Sequence, residues 1–226
     1  MTPGKPQRFD SAPSPVDWQL SDRRETDETF TPADEAEAAR AIRFRRVEDR
    51  LDFLHSRTLA RRLVAGATGV PDEEVLLQSF DDEAPAADGL DNISISWSRS
   101  GPVAAAATSQ GLKIAIDVER VIPRSVQSML GMVGIDEESR AIMDILDEEA
   151  RLQAFYRLWT AKEAVLKWRG NGLRGGAKSV WLPASFLEGR LNTIPLEDEA
   201  GPVQISVLCA GPDIVCTLAF SGKTSN

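Results

Sequence analysis

Histidine is nearly absent, with His55 the only one among 226 residues. A Ser-His-Asp triad would have to be built around that single ring, and metal sites made of several histidines are excluded. Acid–base chemistry therefore falls to carboxylates and lysines. Cysteine is almost as scarce. Cys209 and Cys216 lie in an apolar stretch without metal-type spacing, which predicts buried free thiols in a reducing compartment. No run of about eighteen apolar residues exists, so no membrane span is expected. The amino terminus lacks the apolar core of a secretory signal, and the expected location is cytoplasmic. Positive charge is also short: 26 Lys and Arg stand against 35 Asp and Glu, a net charge of −9 that argues against a nucleic-acid partner.

What is present suits a globular chain, with 42% apolar and 27% charged residues. Residues 1–35 read as loop around a short strand at 16–20, with a mobile tail before Pro13. Helix is expected from about Ala33 to Ala67, ended by Gly66 and Gly69. On a continuous helix Phe44, Val47, Leu51, Leu54, Leu59 and Leu63 would share one apolar side. Between Arg40 and Arg62 eight arginines meet only Glu48, Asp49 and Asp52, a surplus of five in an acidic chain. Two readings are about equally supported. One is a solvated face with carboxylate partners; the other is a phosphate site, because guanidinium forks match phosphate oxygens.

A short strand is read at 75–80, then an acidic polar loop. The alternation of Ile93–Gly101 followed by apolar 103–108 predicts a hairpin. Lys113-Ile114-Ala115-Ile116-Asp117-Val118-Glu119 reads as a further strand. Asp117 and Glu119 are two apart and so point to the same face. A solvated edge strand would explain them, but the Ile-Ala-Ile run marks a buried strand, where unpaired carboxylates are costly. A hard divalent cation between them is the economical answer. Residues 121–153 read as mostly helical and acidic. Strands are expected at 180–182, 203–209 and 215–220, with 183–201 as loop and turn.

Residues 155–168 form the most distinctive stretch. Phe155, Leu158, Val165 and Trp168 make an apolar stripe, and the helix should stop at Gly170-Asn171-Gly172. Trp159, Glu163 and Lys167 are each four apart and project from one side. By itself this is an ordinary i,i+4 ion pair.

Combined, Asp117-Val118-Glu119, then Trp159-Thr160-Ala161-Lys162-Glu163-Ala164 about forty residues on, then Lys167 and Gly170-Asn171-Gly172-Leu173, resemble the Sfp-type 4′-phosphopantetheinyl transferase superfamily. The strand–turn at 93–101 resembles that family's Ser-His-Ser segment, and the Arg-rich helix resembles its helix that meets coenzyme A. The resemblance covers about residues 33–220.

It implies an α+β fold of two similar halves, pseudo-two-fold, with the active site between them. The boundaries expected are a tail at 1–32, an N-terminal half at 33–110 and a C-terminal half at 111–226. It implies transfer of 4′-phosphopantetheine from coenzyme A to a serine of an acyl or peptidyl carrier protein, as in fatty acid, polyketide or nonribosomal peptide synthesis. Carried over by motif, Asp117, Glu119 and Glu163 would bind Mg²⁺, with Mn²⁺ as substitute. Glu163 and Lys167 would be catalytic, on the attacking serine and the departing 3′,5′-ADP. Arg50, Arg57, Ser96, Trp97, Arg99 and Lys162 would contact coenzyme A. A monomer is the default. Trp97 stands where the family has a histidine, and Asp82-Glu83-Ala84-Pro85 where it has Gly-Lys-Pro, which implies weaker donor binding. The alternatives are a non-catalytic module that binds coenzyme A or a carrier, and an unrelated Mg²⁺ enzyme of nucleotide-like phosphates.

Overall fold

The computed structural model describes residues 7–9, 15–78, 85–170 and 176–222 and has an α+β fold. The chain divides into two compact units inside one strand, the first ending at Ile116 and the second running Asp117–Ser221.

In the first unit, strands β1 (Gln7–Phe9), β2 (Val16–Asp22), β5 (Ile93–Ser100) and β6 (Val103–Gln110) form an antiparallel sheet of order β1-β2-β6-β5. The expected hairpin is β5–β6, turned at Gly101 with φ 57°. Ala104–Ala107 on β6 are fully buried. Side chains that small let the 22-residue helix α2 (Val47–Thr68) lie close, with Leu59, Ala60, Leu63 and Val64 in one core with Ile95 and Ala106. A two-stranded sheet of β3 (Leu77–Gln78) and β4 (Ala86–Ala87) completes this unit. Phe80 and the Asp82-Glu83-Ala84 run lie outside the described residues.

The single helix expected over 33–67 is two. Helix α1 (Glu35–Ala41) starts at Asp34, whose side chain accepts from Glu37 N at 2.7 Å, and stops before Ile42, which is 74% exposed. Phe44 leaves the helical path and packs on Phe53, ring centroids 5.3 Å apart. Val47, placed on the apolar side by a continuous helix, is 55% exposed. Gly69 then ends α2 with φ 79°, a left-handed position that glycine adopts without strain.

The second unit pairs another four-stranded sheet with another 22-residue helix. Strand β7 (Leu112–Arg120) leads into α3 (Val126–Val133), α4 (Asp136–Met143) and α5 (Glu148–Arg169). Then come α6 (Ala184–Leu187), β8 (Thr193–Asp198), β9 (Gly201–Ala210) and β10 (Ile214–Gly222), giving the sheet order β7-β10-β9-β8. Helix α5 ends at Gly170, φ 91°, where the sequence places its stop. Asn171, Gly172 and Leu173 of that turn lie outside the described residues.

Two expectations fail here. Val180–Leu182 alternates buried, exposed, buried, yet it forms no ladder: Leu182 N donates to the side chain of Glu138 at 2.9 Å instead. The 183–201 stretch read as loop holds α6 and β8. Pro195 disguises β8 as non-strand, but β8 is the last strand of its sheet, where a missing N–H is tolerated.

The lone histidine is structural. His55 Nε2 lies 3.0 Å from Ser21 Oγ, its ring is 4.9 Å from Phe30, and its buried Nδ1 has no hydrogen bond among the described residues. Burial, helped by the Arg23 charge, lowers its pKa from 6.5 to about 4. The unfolded chain therefore binds more protons between those values, and stability is present above 6.5 and lost as pH falls through 4. Lowering the pH from 7 to 5 should cost about 2 kcal/mol more in the native protein than in a His55→Gln variant. Urea titrations at the two pH values check this, and the sole imidazole's NMR titration should show a midpoint near 4.

Candidate functional site

Strand β7 carries the first part of the site. Although β7 closes one end of its sheet, Ile114–Val118 are all buried, so its carboxylates are not those of a solvated edge. Asp117 is 4% exposed, and Glu119 is half-buried. Helix α5 supplies the second part. Trp159, Glu163 and Lys167 are half-buried while Leu158, Thr160–Lys162 and Ala164–Leu166 are buried, so the three share the helix's more open side.

The ammonium of Lys167 reaches across to β7 and donates to Asp117 Oδ1 at 2.6 Å. Asp117 Oδ2 is buried and accepts no hydrogen bond from a described residue. Burial first, then the charges of Asp117 and, more weakly, Glu119 push the Glu163 carboxyl up to about 7, while Lys167 pulls it down. Among the described residues three carboxylates and the Lys167 ammonium share one neighbourhood, with more negative charge than that lysine neutralises.

That donor set, hard oxygens with surplus negative charge, fits a hard divalent cation in its chemistry. The side chains are not drawn together for it: among the described residues no three acidic, histidine or cysteine groups converge as a ligand set. In this arrangement Lys167 holds Asp117, so a cation binding there has to compete with an ammonium.

Lys162 does not belong to this group. It is 1% exposed, and its Nζ donates to Glu138 Oε2 at 2.6 Å and to Val133 O at 3.0 Å. Glu138 also accepts from Ile135 N at 3.0 Å. The expected place against the phosphates is thus corrected. Lys162 spends its charge inside the core, tying α3 and α4 to α5, and burial lowers its pKa against the pull of Glu138.

In the first unit the arginines separate into held and unheld. Glu37, 4% exposed, accepts from Arg57 Nε at 2.5 Å and from Arg61 Nη1 at 2.8 and 3.0 Å. Arg57 also donates to Leu77 O and stacks over Trp97, 5.0 Å from the ring centroid. Arg62 pairs with Glu28. The carboxylate partners expected for these arginines are present, but the face is not solvated: Arg57, Arg61 and Glu37 are buried. Arg43, Arg45, Arg46 and Arg50 form no ion pair among the described residues. Arg99 lies over Phe44 and Phe53, at 5.2 and 6.0 Å. Ser96 is buried, its Oγ accepting from Ile116 N at 3.0 Å. Trp97 packs against the α2–β5 core. Of the proposed coenzyme A contacts, Arg50 and Arg99 remain available on the surface, whereas Arg57 and Ser96 are buried by structural partners.

Glu37 and Glu138 were missed as organisers of the cations around them. The signal for Glu37 was its place three residues after Asp34, since its side chain accepts from Ala33 N at 2.7 Å as in a capping box. A cavity of about 450 Å³ beside Arg157, Leu187 and Gly189 is lined by none of Asp117, Glu119, Glu163 and Lys167.

Residues 113–218 match the model of the 4′-phosphopantetheinyl transferase superfamily. Over 184 residues the chain is 26% identical to a 4′-phosphopantetheinyl transferase of Bacillus pumilus, covering 79% of this chain and 76% of that one. It is 31% identical over 144 residues to the 4′-phosphopantetheinyl transferase HetI of Nostoc sp., covering 61% and 59%. It is 28% identical over 173 residues to the L-aminoadipate-semialdehyde dehydrogenase-phosphopantetheinyl transferase of Rattus norvegicus, covering 71% and 53%.

Two predictions separate the lysine–glutamate pairs. Lys162→Met should destabilise the fold by about 3–5 kcal/mol, because Glu138 is left buried and uncompensated; urea unfolding measures it. Glu163→Gln should do the reverse in metal-free buffer. A carboxyl raised to about 7 contributes stability in its protonated state and loses it as pH rises through that value. The variant should gain about 1–2 kcal/mol over the native protein at pH 8 in EDTA, discounted for solvent screening, and the gain should shrink toward pH 5.

Proposed function

We propose, from the match of residues 113–218 to the model of the 4′-phosphopantetheinyl transferase superfamily, that this chain moves 4′-phosphopantetheine from coenzyme A to a serine of an acyl or peptidyl carrier protein. The observation that carries this reading is the cluster of Asp117, Glu119, Glu163 and Lys167, with Glu163 pushed up to about 7.

The reaction joins the serine oxygen to the β-phosphorus of the coenzyme A pyrophosphate and breaks that phosphorus's bond to 3′,5′-ADP. The attacking group comes from the carrier, so the chain needs no nucleophile of its own, which accords with its having a single, buried histidine. Mg²⁺, with Mn²⁺ as substitute, would be held by Asp117, Glu119 and Glu163 and would neutralise the pyrophosphate oxygens. Glu163 takes the serine proton: a carboxylate with a pKa near 7 is a stronger base than an ordinary one and is still substantially ionised at neutral pH. Lys167 would offer its ammonium to the charge that builds on the departing 3′,5′-ADP. By the resemblance, Arg50 and Arg99 would supply positive charge for the donor's phosphates. An acidic carrier would approach the same cations, so salt should weaken its association.

The test is incubation with coenzyme A, Mg²⁺ and a panel of apo-carrier proteins, read by intact mass. The expected result is one phosphopantetheine added per carrier, abolished by EDTA. Glu163→Gln and Lys167→Met should each lower kcat by about 10²–10⁴-fold. Coenzyme A binding with no transfer to any carrier would replace this reading with a non-catalytic binding module.

A further inference from the structure

The two cysteines face one another across neighbouring strands. In the antiparallel register of β9 and β10, Cys216 is the direct partner of Cys209. Directly opposed residues place their side chains on one face of the sheet. Their Cα atoms lie about 4.5 Å apart in one class of pair and about 5.5 Å in the other, and both separations fall within the span of a disulfide. Both cysteines are free thiols here.

Three further features bear on reactivity. Cys209 is half-buried, so a small reagent can reach it, whereas Cys216 is fully buried. The register slips immediately after the pair: Thr217 faces Val207, which leaves Leu208 as an extra residue on β9. Such a bulge interrupts the ladder beside the two sulfurs and lets the strands adjust locally. Burial raises both thiols, Cys216 more strongly, with Asp117 and then Cys209 adding to its shift.

We propose that Cys209 and Cys216 form a site of reversible oxidation, a cross-strand disulfide made by a low-molecular-weight disulfide such as oxidised glutathione. The Cys209 thiolate attacks one sulfur of the reagent, breaking its S–S bond and expelling one glutathione thiolate, which takes up the proton that Cys209 gave up. The Cys216 thiolate then attacks the Cys209 sulfur of that mixed disulfide and expels the second glutathione. Two protein thiols are oxidised and one reagent disulfide is reduced to two thiols. Cys209 goes first because it is the accessible sulfur, and Cys216 resolves. Because both thiols titrate high, the reaction is slow at neutral pH and quickens as the pH rises.

The proposal does not rest on the transfer reaction, and β10 is the strand next to the one that carries Asp117. The closing chemistry therefore happens one strand away from the carboxylate cluster.

The folded full-length protein is incubated with oxidised glutathione at pH 8.5 and read by intact mass and peptide mapping, with and without later dithiothreitol. The expected product is about 2 Da lighter than the reduced protein, with Cys209 and Cys216 linked, and it is restored by dithiothreitol. Cys216→Ser should stop at a stable glutathione adduct on Cys209. Cys209→Ser should react at least about tenfold more slowly, because only the buried thiol remains. The proposal is overturned if native protein keeps both thiols titratable. It is equally overturned if it stops at the Cys209 adduct, or if cross-linking occurs only in denaturant. Far-UV circular dichroism of each serine variant confirms that the comparison is between folded proteins.

Discussion

The structure around the site depends on one ion pair, Lys167 Nζ to Asp117 Oδ1 at 2.6 Å. It joins the long helix of the second unit to the strand that carries the acidic motif. It also bears on Glu163: burial, and then the charges of Asp117 and Glu119, raise that carboxyl to about 7, and the Lys167 ammonium offsets part of the rise. If Lys167 faced solvent, the buried Asp117 would lose a charge-assisted hydrogen bond of 2.6 Å. If every carboxylate had its own cation, no attraction for a further positive ion would remain.

The second long helix solves a comparable problem differently. Glu37 holds Arg57 and Arg61 in the interior, and Trp97 covers Arg57. These charges stabilise local structure and are not offered to a ligand. The cations that stay open come from the irregular segment between α1 and α2 and the first turn after it. Ending α1 at Ala41 is what makes this division, since a continuous helix would have carried Arg43 and Arg46 onto the same stripe as Arg57.

Much of this was legible. The β5–β6 hairpin, the buried Asp-x-Glu strand, and the helix ending at Gly170 follow from alternation, apolar runs and glycine. The grouping of Glu163 with Lys167 follows from four-residue spacing, and the open side at Trp159, Glu163 and Lys167 bears it out. Lys162 was misplaced because a motif was carried across without its geometry. At about 100° per residue, Lys162 lies about 140° around the helix from Lys167, on the core side. Strand β8 was hidden by Pro195, whose harmlessness depends on the strand being last in its sheet. Val180–Leu182 has a strand's alternation, but whether it finds a ladder depends on where Glu138 sits. That is a long-range fact that no local pattern contains.

The acidic balance of the chain does not conflict with a polyanionic donor. At physiological ionic strength charges are screened beyond about 8 Å, so a net charge of −9 spread over the surface governs solubility more than it governs a binding site. What counts is which charges lie within that distance of the ligand and are not already neutralised. By that measure the arginine-rich region contains far fewer available cations than its composition suggests, because Glu37 and Glu28 have claimed Arg57, Arg61 and Arg62. The carboxylate cluster contains less negative charge at pH 7 than its composition suggests, because Glu163 is then about half protonated.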